Sequence, residues 1–160
     1  MSYMKLIKLL YLADRDALDK WGRTITTDTY VSMDKGPVLS HVLDRINEGP
    51  FPGDASFWAQ HITSSGGYEV TLTIDPDGEL LSEAEDELLD KIFKVYGHLS
   101  RWEIVDLVHT LPEWKDPDGG AIPIHYADIL KALNKDQEDI DAIVDELNNL
   151  ARIDDLCPRR

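Results

Sequence analysis

The sequence contains a single cysteine, Cys157, and no long hydrophobic run. One thiol cannot form a disulfide within the chain, which fits a reducing compartment. The longest apolar run, near residues 6–13, is interrupted by Lys8 and is far too short to cross a bilayer. It also lacks the small-residue cleavage pattern of a signal peptide. We therefore expect a cytoplasmic protein without a membrane partner.

Basic residues are scarce as well. The 160 residues include 16 Lys and Arg against 31 Asp and Glu, a formal net charge of −15. Such a charge repels nucleic acid and anionic lipid, because binding to either rests on clustered Lys and Arg. It favours a basic partner, although it serves solubility equally well. The charge balance therefore excludes nucleic acid more firmly than it identifies a partner.

The common signatures of catalysis are missing from the chain. It has no HExxH or Cys-x-x-Cys pattern, no Gly-x-Ser-x-Gly elbow, and no Walker or dinucleotide glycine pattern. Cys157 lies three residues from the C-terminus, where a rigid nucleophile pocket is not expected. We predict no catalytic residue, no bound metal and no cofactor.

Asp106 and His109 are the one pair that keeps an enzymatic alternative open. They are three residues apart on a predicted helix and could supply two metal ligands to a hydrolase with a third from elsewhere. An ordinary surface or capping pair is the simpler interpretation, because no ligand-spaced partner accompanies them.

The periodicity predicts one mainly α domain, of α+β class, with a small antiparallel β-hairpin. Residues 4–13 are apolar except for Lys5 and Lys8, which is typical of a helix buried nearly all round, ending near Trp21-Gly22. Residues 26–33 are predicted to be extended. Residues 57–63 and 68–74 are predicted to form the hairpin, the second strand burying Tyr68, Val70, Leu72 and Ile74, and a turn follows at residues 75–78.

The second half is predicted to be helical. Ser82 with Glu85 and Ser100 with Glu103 form two capping boxes that start successive helices. Further helices are expected at roughly 125–133 and 136–151. The residues predicted to point inward from these helices are Leu88, Leu89, Ile92, Phe93 and Tyr96, then Trp102, Val105 and Val108, then Ile140, Ile143, Val144, Leu147 and Leu150.

The stretch from Asp34 to Pro37 places a Gly-Pro pair before an apolar helical pattern. A phosphate site there would need free N–H groups, whereas Pro37 has none and Asp34 adds repulsion, leaving only Lys35 in favour. A proline at the first helical position is a common helix start. The stretch is therefore predicted to be a corner that begins a helix at Pro37.

Residues 111–123 are predicted to form a loop that carries Trp114. A tryptophan among Pro, Asp and Gly either packs on the core or is displayed to a partner as an anchor. With Glu113 and Lys115 beside it, and Lys35 elsewhere, we consider it a candidate partner-binding site.

Five segments in order resemble the Panacea-domain family of SocA-like antitoxins and proteolytic adaptors. They are KLIKLLYLADRDAL, WGRTIT, YVSMDKGPVLS, LSEAEDELLDKIFKVYGHLSRWEIVDLVH and LPEWKDP. The resemblance as a whole runs from about residue 4 to residue 133. The matching motif positions include Lys8, Leu9, Tyr11, Gly36, Pro37, Trp102 and His109, which we interpret as mostly scaffold positions.

The resemblance implies a mainly α domain, over the whole of residues 1–160, that neutralises a toxin by direct binding and has no catalytic activity. Such domains occur in bacteria, phages and prophages beside varied toxins. We expect a cognate toxin, of basic character from the charge of this chain. The alternative is an adaptor that delivers the toxin to a protease.

The chain differs from the family pattern in two ways. Relatives usually carry another helix before KLLYLAD, whereas this chain begins two or three residues before that helix. We therefore predict an uncovered face of Leu6, Leu9, Leu10 and Ala13 that a second copy or a partner buries. An extra DNA-binding domain is also absent, which argues against self-regulation by operator binding.

Overall fold

The computed structural model describes residues 1–49, 56–64, 67–76 and 80–156. Its helices are α1 (Tyr3–Trp21), α2 (Ser40–Glu48), α3 (Phe57–His61), α4 (Glu83–Tyr96), α5 (Arg101–His109), α6 (Tyr126–Ala132) and α7 (Gln137–Leu156). Its strands are β1 (Tyr30–Met33), β2 (Gly36–Leu39), β3 (Ile62–Ser64), β4 (Val70–Leu72) and β5 (Ile122–Ile124). The predicted class, mainly α with small antiparallel sheets, is confirmed.

Helix α1 is the central element and is buried nearly all round, as its composition predicts. One side packs into a cluster with the three-stranded sheet and α6, and contributes Ile7, Tyr11 and Leu18. It ends at Trp21, where Gly22 adopts φ of 67° and donates its N–H to Leu18 O at 3.1 Å. The αL cap is a conformation that glycine adopts without strain.

The prediction of an uncovered α1 face is wrong at two of its four positions. Leu9 and Ala13 are only 7% and 1% exposed, because Ile92 of α4 and Ile104 and Val108 of α5 pack against them. Leu6 and Leu10 are partly buried against the other cluster. Self-association through this face therefore has no basis at Leu9 or Ala13.

The predicted helix start at Gly36-Pro37 is wrong, because these residues belong to β2. Strand β2 pairs antiparallel with β1, with Pro37 opposite Ser32, and α2 begins only at Ser40. The strand order is β2-β1-β5, so β2 lies at the edge of the sheet. An edge strand tolerates proline, which has no backbone N–H, because the strand has no neighbour to hydrogen-bond on its outer side.

Strand β5 begins within the predicted loop of residues 111–123 and ends one residue after it. It pairs antiparallel with β1, with Pro123 opposite Val31. Its composition of two isoleucines around a proline gives no clear strand pattern, so only the pairing with β1 defines it.

The second hairpin exists but is shorter than predicted. Strands β3 and β4 pair antiparallel, whereas residues 57–61 form α3, which Ser56 caps by accepting the Ala59 N–H at 3.2 Å. Val70 is buried, but Tyr68, Leu72 and Ile74 are exposed, so the predicted burial is wrong for these three. The predicted turn at residues 75–78 lies partly outside the described residues, and Cys157 lies wholly outside them.

Both predicted capping boxes are confirmed, at Ser82 with Glu85 and at Ser100 with Glu103. The inward faces are confirmed for most of the residues in α4, α5 and α7. The exceptions are Phe93, Trp102 and Leu150, which are exposed. Leu88 and Ile92 on α4, and Val105 and Val108 on α5, already occupy the buried side of each helix.

Candidate functional site

The loop after α5 folds back over the turn between β1 and β2. Trp114 Nε1 donates to Met33 O at 3.1 Å, Lys115 N donates to Ser32 Oγ at 3.2 Å, and Gly119 N donates to Asp34 Oδ1 at 3.1 Å. Three of the four predicted contact residues, Lys35, Trp114 and Lys115, therefore lie around one hairpin. We call the surface formed by Lys35, Arg101, Trp102, Trp114 and Lys115 the hairpin-loop surface.

Trp102 is, with Arg101, one of the two residues of this surface that the sequence interpretation missed as a site. Its side chain is 50% exposed rather than buried. Lys35 Nζ lies 5.5 Å from its ring centroid, and Arg101 Cζ lies 5.2 Å from it. These distances are within range of cation–π attraction. The only hint in the local sequence that the Trp102 ring faces solvent was Arg101 beside it, because arginine is mostly found on the protein surface.

Trp114 both packs against the protein and remains accessible to a partner, the two alternatives that the sequence left open. Its ring stacks on the His109 imidazole with centroids 4.1 Å apart and planes 24° apart. Its indole N–H is bound to Met33 O, and the side chain remains partly exposed. The ring is therefore fixed in orientation, and a fixed ring loses little side-chain entropy when a partner binds.

Glu113 does not belong to the hairpin-loop surface, so its prediction as a contact residue is wrong. Its side chain is 0% exposed. Its Oε1 accepts from Tyr11 OH at 3.0 Å and from Arg15 Nε at 2.6 Å. Burial, and then the Glu113 charge, raise the pKa of the Tyr11 hydroxyl above its usual range. Glu113 therefore ties the loop to α1.

Asp106 and His109 have no third metal ligand beside them among the residues that the structure describes. Asp106 is exposed, whereas His109 is partly buried under Trp114 and its Nε2 has no hydrogen-bond partner. Across the described ranges, no group of three His, Cys, Asp or Glu side chains could hold a metal ion. The hydrolase alternative therefore has no supporting geometry there.

Two charged residues of the KLLYLAD segment are buried in the scaffold. Asp14 accepts hydrogen bonds from Ile25 N at 2.8 Å, from Thr26 and from Tyr30 OH at 2.9 Å, yet burial still raises its pKa. Lys8 Nζ donates to Pro37 O at 2.6 Å, and burial lowers the pKa of its ammonium to about 7. These bonds connect α1 to the sheet and to the segment before it.

The family comparison agrees with these motifs. A family model described as antitoxin SocA-like, Panacea domain, matches residues 6–115, more than half of the chain. The chain belongs to the SocA-like Panacea-domain family. The matched range includes most of α1 and all of the β1–β2 hairpin, α5 and residues 114–115. The hairpin, α5 and residues 114–115 carry the hairpin-loop surface.

The family description indicates an antitoxin-like role with a protein partner. No curated protein and no solved structure matches this Panacea-domain chain significantly. In the part of the chain that the structure describes, no helix is long and apolar enough to cross a membrane.

Proposed function

We propose that this Panacea-domain protein neutralises a cognate toxin by binding it directly through the hairpin-loop surface. The observation that supports this most is the half-exposed Trp102 ring, which has Lys35 Nζ 5.5 Å and Arg101 Cζ 5.2 Å from its centroid. The same hairpin also holds the ring of Trp114 in a fixed orientation. Tryptophan and arginine dominate the binding energy of protein interfaces, because they bury much area and pair with polar groups at their edges.

Charge supports a basic toxin with a local acidic contact. The net charge of −15 attracts a basic protein over a distance. The hairpin-loop surface itself carries Lys35, Arg101 and Lys115, so the toxin segment that reaches it is expected to present carboxylates there. The long-range attraction sets the rate of encounter, and the local pairs set the orientation.

The test is co-expression with the product of each adjacent gene, read out by growth and by co-purification. Trp102→Ala and Trp114→Ala are expected to weaken toxin binding by about 30-fold or more in Kd. Trp21→Ala is the matched control, because Trp21 also has a cation over its ring, Arg23 Cζ at 5.5 Å, but lies at the far end of α1.

Each negative result has its own meaning. Failure of the unaltered protein to rescue growth or bind any neighbouring product would contradict the function itself. Full binding by folded Trp102→Ala would instead contradict only the hairpin-loop surface. If toxin levels fall only in cells that contain a particular protease, the protein acts as an adaptor that delivers the toxin to that protease, and not by sequestration.

A further inference from the structure

A cavity of about 290 Å³ opens between α1, the β1–β2 hairpin and residues 119–120. Most of its wall is apolar and is formed by Met4, Ile7, Met33, Val38 and Leu43. Its basic lining residues are Lys8 and Lys35, and Asp34 is the acidic one. We call this site the Lys8 cavity. Its size suits a small organic molecule and is at the lower end of what ligand pockets have.

Lys8 is the unusual residue in this wall. It is 1% exposed, and among the described residues its only hydrogen bond goes to Pro37 O, at 2.6 Å. An ammonium group has three donors, so two remain unused. A buried cation without a carboxylate partner is costly, which is why such groups are rare and concentrate at binding sites.

The local charges differ from those of the whole molecule. Asp34, the carboxylate nearest in the wall, already accepts from Gly119 N at 3.1 Å. When Lys8 is protonated, Lys8 and Lys35 together exceed it by one positive charge, on a chain whose net charge is −15. An anion that enters the cavity is therefore attracted by the nearest groups, and an apolar body is favoured by the rest of the wall.

We propose that the Lys8 cavity binds a carboxylate attached to a short apolar body. The carboxylate would occupy the two free donors of Lys8, and the body would lie against Ile7, Val38 and Leu43. Such a group occurs in a free aliphatic acid and at the C-terminus of a protein that ends in an apolar residue. The cavity shares Lys35 with the hairpin-loop surface, but binding of a small acid needs no toxin, so it can be tested on the protein alone.

Hexanoate is the probe for the free acid, and hexan-1-ol and hexylamine are its neutral and cationic counterparts. Binding is followed by methyl NMR shifts of Ile7, Val38 and Leu43. Hexanoate is expected to shift these methyls in a saturable way, and the alcohol and amine are expected to bind at least about tenfold more weakly. Equal shifts with all three probes would overturn the proposal, since apolar filling alone would explain them.

The matched variants are Lys8→Met and Lys5→Met. Lys5 lies one turn earlier on α1 and also donates to a backbone carbonyl, Gly97 O at 2.6 Å, but it does not line the cavity. Lys8→Met is expected to lose the preference for hexanoate over hexan-1-ol, and Lys5→Met to keep it. If Lys8→Met does not fold, Val38→Phe, which fills the cavity, must abolish the methyl shifts for the proposal to stand.

Affinity for hexanoate should also depend on pH, because the bound carboxylate favours the charged form of Lys8. With the Lys8 pKa at about 7, binding should be about tenfold weaker at pH 8 than at pH 6. Among the described residues, the other titratable groups around Lys8 are His109 on α5, Asp34 and Lys35 in the turn, and Tyr3, Lys5 and Tyr11 on α1. The same pH dependence in folded Lys8→Met would assign it to one of these groups and contradict the proposal.

A hexapeptide that ends in leucine, with either a free or an amidated C-terminus, distinguishes a protein C-terminus from a free aliphatic acid as the ligand. Binding by the free-acid form alone supports a protein C-terminus as ligand. Binding of hexanoate without either peptide supports a small acid. Failure of both hexanoate and the peptide acid would end the proposal, whatever the result of the toxin experiments.

Discussion

Gly36 of β2 lies directly against Val108 of α5. A Cβ on residue 36 would be 2.5 Å from Val108 Cγ2, and Gly36 has φ of +93°, a conformation that other residues rarely adopt. The hairpin and α5 therefore meet at a distance that only glycine permits. This contact places the turn carrying Lys35 beside Trp102.

Gly36→Ala should be among the most destabilising single-methyl changes in the chain. Backbone strain and overpacking against Val108 together are expected to cost about 2–4 kcal/mol in the free energy of unfolding. Gly119→Ala is the matched control, because Gly119 has φ of +80° but no atom within 4 Å of an added Cβ. Chemical denaturation of both variants measures the difference, and equal losses would contradict the close contact.

Glu113→Ala should destabilise the fold without touching the hairpin-loop surface. It leaves Tyr11 OH and Arg15 Nε without their shared acceptor, which is expected to cost about 2–3 kcal/mol. Glu87→Ala, at an exposed position of α4, should change the unfolding free energy by no more than about 0.5 kcal/mol. A small effect for Glu113→Ala would show that loop and helix are held together by other contacts.

Stability should rise with pH above neutrality because of Lys8. Its pKa is about 7 in the folded protein against an ordinary 10.5, so between these values the unfolded chain binds the proton that the folded chain has lost. The slope is expected to reach about 1.4 kcal/mol per pH unit. Denaturation at pH 7, 8 and 9 measures it.

Lys8→Met is expected to remove this slope, and Lys5→Met to retain it. The measurement stays below about pH 10. Above that pH, tyrosine ionises in the unfolded chain, whereas Tyr11 and Tyr30 in the folded protein keep their protons because their pKa values are raised. This difference lowers the stability of the folded state and would oppose the effect of Lys8. An unchanged slope in Lys8→Met would contradict the assignment of the proton to Lys8.

Asp28 caps α2 from a distance in sequence. The helix starts after Leu39, which cannot cap it, and the two Asp28 carboxylate oxygens accept from His41 N and Val42 N, each at 3.0 Å. Asp28→Ala is expected to cost about 1–2 kcal/mol, similar to Ser100→Ala at the local cap of α5. Amide hydrogen exchange should show the loss first in α2, and unchanged protection there would refute the remote cap.

Local signals in the chain were enough to predict the main helices and the family. The apolar composition of residues 4–13 and the local caps at Ser82 and Ser100 predict α1, α4 and α5, because these signals act within a few residues. The ordered motifs predicted the Panacea-domain family, which the family comparison confirms. The net charge was known from composition alone.

Only the tertiary structure decided which way the candidate residues face. Pro37 lies in a strand because β1 pairs with it, and Trp102 faces outward because Val105 and Val108 fill the other side of α5. Glu113 points inward to Tyr11, 102 residues away, and Lys8 is buried against Pro37 O. Such contacts join residues far apart in the chain, and no local periodicity records them.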